Sequence, residues 1–134
     1  MNNGRILLID DDKFLRKACE VSLKKRGLTV VTATDGEEGL RQARTCGPDL
    51  ILMDMLMPKL SGLQALQALK KDEQTRDIPV VMLSNSSIDS DVQRAKELGA
   101  AGYLVKASLS LQELGDHVIS FLEGSGQNLG IPQK

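Results

Sequence analysis

Asp54 closes the run Asp49-Leu50-Ile51-Leu52-Met53-Asp54, and Asp10, Asp11 and Asp12 follow directly on Ile6-Leu7-Leu8-Ile9. A bare carboxylate is costly to bury, so an acid ending an apolar run belongs at a strand's open end, beside a cation or donors. Two acid-tipped strands that meet would form one pocket, whose like charges raise a carboxyl pKa unless a cation sits among them. Mg²⁺ suits such a pocket: it is hard, keeps several waters, and takes one or two carboxylates plus phosphate oxygens. Ser84 ends a third run, Val80-Val81-Met82-Leu83, and Lys106 follows a fourth, Gly102-Tyr103-Leu104-Val105. The lysine offers a point charge to a phosphoryl oxygen and the serine a small hydroxyl donor. A carboxylate nucleophile, a metal, an ammonium and a hydroxyl on one rim make a site for in-line phosphoryl transfer.

Those residues need a scaffold that gathers strand ends. The runs Arg5–Ile9, Leu28–Ala33, Asp49–Asp54, Val80–Ser84 and Gly102–Val105 are mostly apolar at successive positions. That is how parallel strands covered on both faces read. Helical patterns lie between them. From Asp12 to Arg26, Leu15, Ala18, Cys19 and Leu23 form a stripe that Gly27 stops. From Asp35 to Cys46, Leu40 and Ala43 carry the apolar side, and Gly47-Pro48 ends it. Leu63, Leu66 and Leu69 mark a helix from about Ser61 to Lys71; Ile88, Val92, Ala95 and Leu98 mark another, closed by Gly99. The last, roughly Leu109 to Glu123, presents Leu111, Leu114, Val118, Phe121 and Leu122.

Five strand-helix units predict an α/β fold: a doubly wound parallel sheet with right-handed crossovers. Ligands of such sheets gather at the carboxyl ends of the strands. Asp10 to Asp12, Asp54, Ser84 and Lys106 fall just beyond the ends of strands one, three, four and five, and so share a rim. Asp12 has a second explanation, since an acid in a helix's first turn caps free N–H groups. The Gly-rich segment after Glu123 is expected to be flexible.

At 134 residues the chain suits one domain with a proper core. A net charge of −1 and only three aromatic residues, Phe14, Tyr103 and Phe121, give no footing for nucleic-acid binding. No apolar run approaches the roughly 20 residues of a membrane span, and Met1 to Arg5 lacks a signal-peptide core. Cys19 and Cys46 have no CxxC spacing and are expected as free, helix-packing thiols. The expectation is a soluble cytoplasmic protein without membrane contact. His117, inside the fifth helix, is expected as a partly exposed side chain.

The order of these pieces resembles the CheY-like receiver domain of two-component response regulators. The resemblance rests on Ile9-Asp10-Asp11, on Asp54-Met55-Leu56-Met57-Pro58-Lys59-Leu60-Ser61-Gly62, on Val81-Met82-Leu83-Ser84 and on Gly102-Tyr103-Leu104-Val105-Lys106. It implies a flavodoxin-like five-stranded parallel sheet of order 2-1-3-4-5 with five helices. It implies a receiver domain over residues 5–123, with 124–134 a flexible tail or linker. Asp54 would take a phosphoryl group from a histidine kinase or histidine phosphotransfer protein. Asp11, Asp54 and the backbone carbonyl of Leu56 would bind Mg²⁺, with Asp10 acting mainly through a metal-bound water. Lys106 would pair with the phosphoryl group and Ser84 would hydrogen-bond it. Tyr103 would change rotamer as Ser84 moves, altering the surface of helix four, strand five and helix five, which a downstream effector protein or domain reads. The chain would then be a signalling phosphoacceptor that catalyses only its own phosphorylation and dephosphorylation.

Three positions depart from the family pattern. Ala107 stands where relatives usually carry a proline after a cis peptide, so either a strained cis bond persists or the Lys106 loop runs trans. Asn85 is larger than the usual residue after Ser84. Leu56 is apolar where many relatives are polar, and would shield an acyl phosphate from water. A haloacid-dehalogenase-type phosphatase would use an Asp-x-Asp start like that of Asp10-Asp11-Asp12, but Phe14 stands where Thr or Val is usual. A binding module that lost its switch and a flavin-binding flavodoxin are further alternatives. The first is opposed by the full residue set, the second by the want of a phosphate loop after strand one.

Overall fold

A computed structural model describes residues 4–85 and 89–123. Strands β1 (Arg5–Ile9), β2 (Thr29–Ala33), β3 (Leu50–Asp54), β4 (Val80–Ser84) and β5 (Gly102–Val105) alternate with helices α1 (Lys13–Lys25), α2 (Gly36–Cys46), α3 (Gly62–Lys71), α4 (Asp89–Glu97) and α5 (Leu111–Leu122). A 3₁₀ turn over Lys106–Ser108 links β5 to α5. All strand pairs are parallel and the order is β2-β1-β3-β4-β5, as the resemblance implies. The expected helix residue Ile88 and the expected flexible tail lie outside the described residues.

The alternation of a strand sorts the core into two layers. Ile6 and Leu8 of β1, Leu50 and Leu52 of β3, Val81 and Leu83 of β4, and Leu104 of β5 pack with Cys19 and Leu23 of α1 and Leu114 and Val118 of α5. Leu7, Ile9, Ile51, Met53, Val80, Met82 and Tyr103 face the other way, onto Ala43, Ala65, Leu66, Leu69, Val92 and Ala95 of α2, α3 and α4. Each fully buried Leu or Ile contributes about 1.5–3 kcal/mol. Both faces are covered, which explains strands without polar alternation. Cys19 is buried, Cys46 half-buried, and both are free thiols.

Helices α1, α2, α3 and α5 begin where side chains satisfy their open N–H groups. Asp12 accepts from the N–H groups of Phe14 and Leu15 at 3.0 and 3.1 Å, so the capping role expected of it is present. Ser61 and Ser110 form capping boxes with Gln64 and Glu113. Gly47 (φ 60°) ends α2 and Gly99 (φ 102°) follows α4, both in backbone that favours glycine.

Candidate functional site

Register explains how residues 44 positions apart meet. Ile6 pairs with Leu50 and Leu8 with Leu52, so the next even step aligns Asp10 with Asp54. Both continue the row that faces α1 and α5. Leu83 and Leu104 are neighbours in that row, and Lys106 lies two residues beyond Leu104. Thus Asp10, Asp54 and Lys106 share parity. Ser84 follows the opposite parity, with Val80 and Met82, and still borders the depression at this rim.

That depression encloses about 400 Å³ and is bounded by Asp11, Asp12, Asp54, Met55, Leu56, Ser84, Asn85 and Lys106. Lys106 Nζ lies 2.8 Å from Asp54 Oδ1 and 3.3 Å from Asp10 Oδ2. Asp10 is fully buried, Asp54 is 7% exposed and Ser84 is buried, whereas Asp11 is exposed. Asp10, Asp11 and Asp54 each offer one carboxylate oxygen, all within 4.8 Å of one another.

Asp10 is held from several directions. Its N–H donates to the Ala33 carbonyl at 3.1 Å. Its Oδ1 accepts from the Asp12 N–H at 2.9 Å, and its carbonyl accepts from an Arg16 guanidinium nitrogen at 2.8 Å. Asp54 is fixed by the sheet, and just past it the Met55 N–H donates to the Leu83 carbonyl. The loop behind Asp54 closes tightly, because the Gly62 N–H donates to Met55 O at 2.9 Å. Within this loop Lys59 adopts φ 68° and its ammonium lies 3.6 Å from Asp35, which caps α2.

Burial pushes the Asp54 carboxyl above its ordinary range; the Lys106 hydrogen bond and charge pull the other way, while Asp10 and Asp11 push it further up. Lys106 also loses hydration, yet it faces two carboxylates and its pKa is raised. The opposed balances have one cause, since a single cation serves several acids. The three carboxylates that converge within 4.8 Å of one another outnumber the single ammonium facing them, an excess of negative charge that a divalent ion would offset. Hard oxygen donors at this spacing fit Mg²⁺.

Tyr103 is 1% exposed and packs in the layer with Met82, Val92 and Ala95, outside the lining of the acidic depression. His117 is half-buried in α5, as expected. No cis peptide occurs among the described residues, so the Lys106–Ala107 bond is trans, and the ammonium reaches both acids from that backbone. Leu56 borders the pocket with 78% of its surface exposed. Sequence reasoning passed over Arg16, whose only signal is its position one turn into the helix that follows the acids.

The profile of the response regulator receiver domain matches residues 6–119. The chain is 35% identical over 123 residues to the alkaline phosphatase synthesis transcriptional regulatory protein PhoP of Bacillus subtilis, covering 92% of this chain and 50% of that protein. It is 34% identical over 120 residues to protein PilG of Pseudomonas aeruginosa, covering 87% of this chain and 89% of that protein. The chain spans about half the length of several curated relatives it matches. Among solved structures, the Francisella response regulator 1452 receiver domain aligns with TM-score 0.84 at 29% identity, over 92% of this chain and 99% of that one. The chemotaxis protein CheY4 of Vibrio cholerae aligns with TM-score 0.82 at 29% identity, over 88% and 98% of the two chains.

Proposed function

Because the chain belongs to the response regulator receiver family, we propose that Asp54 accepts a phosphoryl group in a Mg²⁺-dependent reaction from a histidine kinase or a histidine phosphotransfer protein. The observation that carries this reading is the Lys106 ammonium 2.8 Å from Asp54 Oδ1, at the floor of an open acidic depression. Receiver domains are signalling domains, and the cycle proposed here is limited to the chain's own phosphorylation and dephosphorylation.

An Asp54 carboxylate oxygen attacks phosphorus, the new O–P bond forms as the P–N bond to the partner's imidazole breaks, and the departing ring nitrogen takes a proton from solvent. Asp10, Asp11, Asp54 and the Leu56 carbonyl would hold Mg²⁺, which when bound supplies positive charge to the phosphoryl oxygens. Lys106 exchanges its Asp54 partner for a phosphoryl oxygen, and the Ser84 hydroxyl donates to another. The Asp10 carboxylate keeps the lysine in place during that exchange.

Phosphorylation adds about −1.5 to −2 charges and strong acceptors. In the proposed switch Ser84 and Lys106 move toward them, Tyr103 turns into the space behind Ser84, and the α4-β5-α5 surface changes. The switch biases an equilibrium between two existing conformations. Residues 5–123 form the receiver unit and 124–134 a tail or linker. The Bacillus relative is named a transcriptional regulatory protein and the chain spans half of it. The proposed output is accordingly contact with an effector protein or domain, with no direct nucleic-acid binding by this near-neutral chain. No helix among the described residues is long and apolar enough to cross a membrane, and the proposed location is the cytoplasm.

The test is incubation with Mg²⁺ and acetyl phosphate. A hydroxylamine-sensitive label that appears on the wild type and is lost in Asp54→Asn supports the reading. Continuous substrate turnover without label would favour a phosphatase, and no reaction a module without a switch.

A further inference from the structure

We propose that Arg16 is a positioning residue of the acidic site: its guanidinium fixes the turn between β1 and α1 so that Asp10, Asp11 and Asp54 converge on one divalent cation. The proposal rests on the receiver reading and adds a residue to it. Three residues, Asp10 to Asp12, connect the end of β1 to the start of α1. The Asp10 carbonyl belongs to the peptide plane shared with Asp11, so whatever holds that oxygen also sets where the Asp11 Cα and side chain begin. Arg16 holds it, at 2.8 Å. The arginine is itself anchored one turn into α1, where its N–H donates to the Asp12 carbonyl at 2.9 Å.

The bond cannot be replaced cheaply. Asp10 is fully buried, so without the guanidinium its carbonyl must find a new donor or rotate toward water. Rotation of that plane would carry Asp11 away from Asp54. Glu20, the nearest acid along its helix, is held chiefly by Lys24 at 2.8 Å and Lys17 at 3.8 Å and feels Arg16 only as a weaker charge.

Charge and geometry act with opposite signs here. As a cation bonded to the Asp10 carbonyl, Arg16 repels a divalent ion; as the anchor of the turn, it assembles the ion's ligands. If charge alone mattered, removing Arg16 would tighten metal binding. If positioning dominates, removal weakens it. Outer partners that orient ligands typically change metal affinity by about 10–100-fold.

The experiment titrates the whole chain with Mn²⁺ and follows free ion by electron paramagnetic resonance, a readout separate from phosphorylation. Arg16→Met keeps the apolar stem, and Arg16→Gln, shorter and uncharged, serves if the first variant does not fold. Val118→Ala removes two buried methyl groups from α5, away from the acids, and controls for general loss of stability. The expected result is Mn²⁺ binding about 10–100-fold weaker in the Arg16 variants, with Val118→Ala at the wild-type value. Unchanged or tighter binding in the Arg16 variants, or equal weakening in Val118→Ala, overturns the proposal. A wild type that neither binds Mn²⁺ nor takes label from acetyl phosphate overturns the receiver reading beneath it.

Discussion

The Lys106 ammonium stands 2.8 Å from Asp54 Oδ1 and holds Asp10 Oδ2 at 3.3 Å, so one cation bridges two strand ends. Lys106→Met would leave two buried carboxylates without it. Breaking a buried pair by removing one partner costs about 3–5 kcal/mol, and solvent at the open pocket reduces that. Chemical denaturation is expected to show a loss of about 2–4 kcal/mol at neutral pH. The same variant is expected to lose the response to beryllofluoride, measured by tyrosine fluorescence or amide chemical shifts. Wild-type stability in Lys106→Met would mean that the ion pair is replaced by water at no cost.

Asp54 has the reverse thermodynamic character. Burial lifts its carboxyl above the ordinary range despite Lys106, so the folded chain keeps this proton at pH values where the unfolded chain has lost it. The group therefore favours folding below the ordinary carboxylate range, and that contribution disappears as pH rises through the lifted value. At neutral pH the ionised side chain is a net cost. Asp54→Asn is expected to be more stable than wild type at pH 7 by about 0.5–2 kcal/mol, with the gain shrinking as pH falls toward the ordinary carboxylate range. Thermal melts across that window decide it; a gain that grows toward acid pH would contradict the assignment.

Gly62 starts α3 against the backbone that carries Asp54. A Cβ there would press on the Asp54 carbonyl oxygen and come within 2.8 Å of the Met55 Cα, and neither is a side-chain end that can swing aside. Gly62→Ala is expected to cost about 1–3 kcal/mol, the range for overpacking, and to slow phosphorylation by shifting the loop. Gly115→Ala is the contrasting case. Its Cβ meets the Arg26 guanidinium at 2.9 Å, a flexible end, and alanine's helix preference of about 1 kcal/mol offsets the displaced contacts. Equal losses in the two variants would refute the distinction.

Leu56 borders the acidic depression while mostly exposed. Leu56→Asn should change stability by less than about 0.5 kcal/mol, as surface substitutions do. Its expected effect is on lifetime: a polar side chain admits and orients water, so the Asp54 phosphoryl group hydrolyses faster. Release of inorganic phosphate from purified phosphoprotein measures this, and an unchanged rate would remove the shielding role.

Three of the five strand ranges read from the sequence coincide with the observed ones, and the other two differ by one residue at the start. Buried parallel strands are apolar runs bounded by turn residues, so they are local signals. Helix ends were similarly legible where Asp12, Asp35, Ser61 and Gly47 act within their own few residues. What escaped has no periodic or capping signature in the chain. The 3₁₀ turn Lys106–Ser108 has no apolar period, and Ala107 left its peptide geometry open. Thr75 donates to the Leu69 carbonyl from a buried position, and Lys70 reaches the carbonyls of Arg76 and Ile78, bonds that no pattern in the chain announces. Arg16 belongs to the same class. The sequence suggested which residues surround the pocket; the side chain that holds its turn became visible only with three-dimensional reach.

The even-numbered rows Ile6-Leu8-Asp10 and Leu50-Leu52-Asp54 also say which genetic changes the site can survive. Exchanging one aliphatic residue for another within a strand leaves every later position on its own face. Deleting or inserting a single codon in either strand would rotate the terminal acid into the opposite layer, where the partner helices offer it neither Lys106 nor its fellow carboxylates. Length polymorphism among descendants of this gene should therefore collect in the connections and spare the strands, whatever drift occurs in the aliphatic residues themselves.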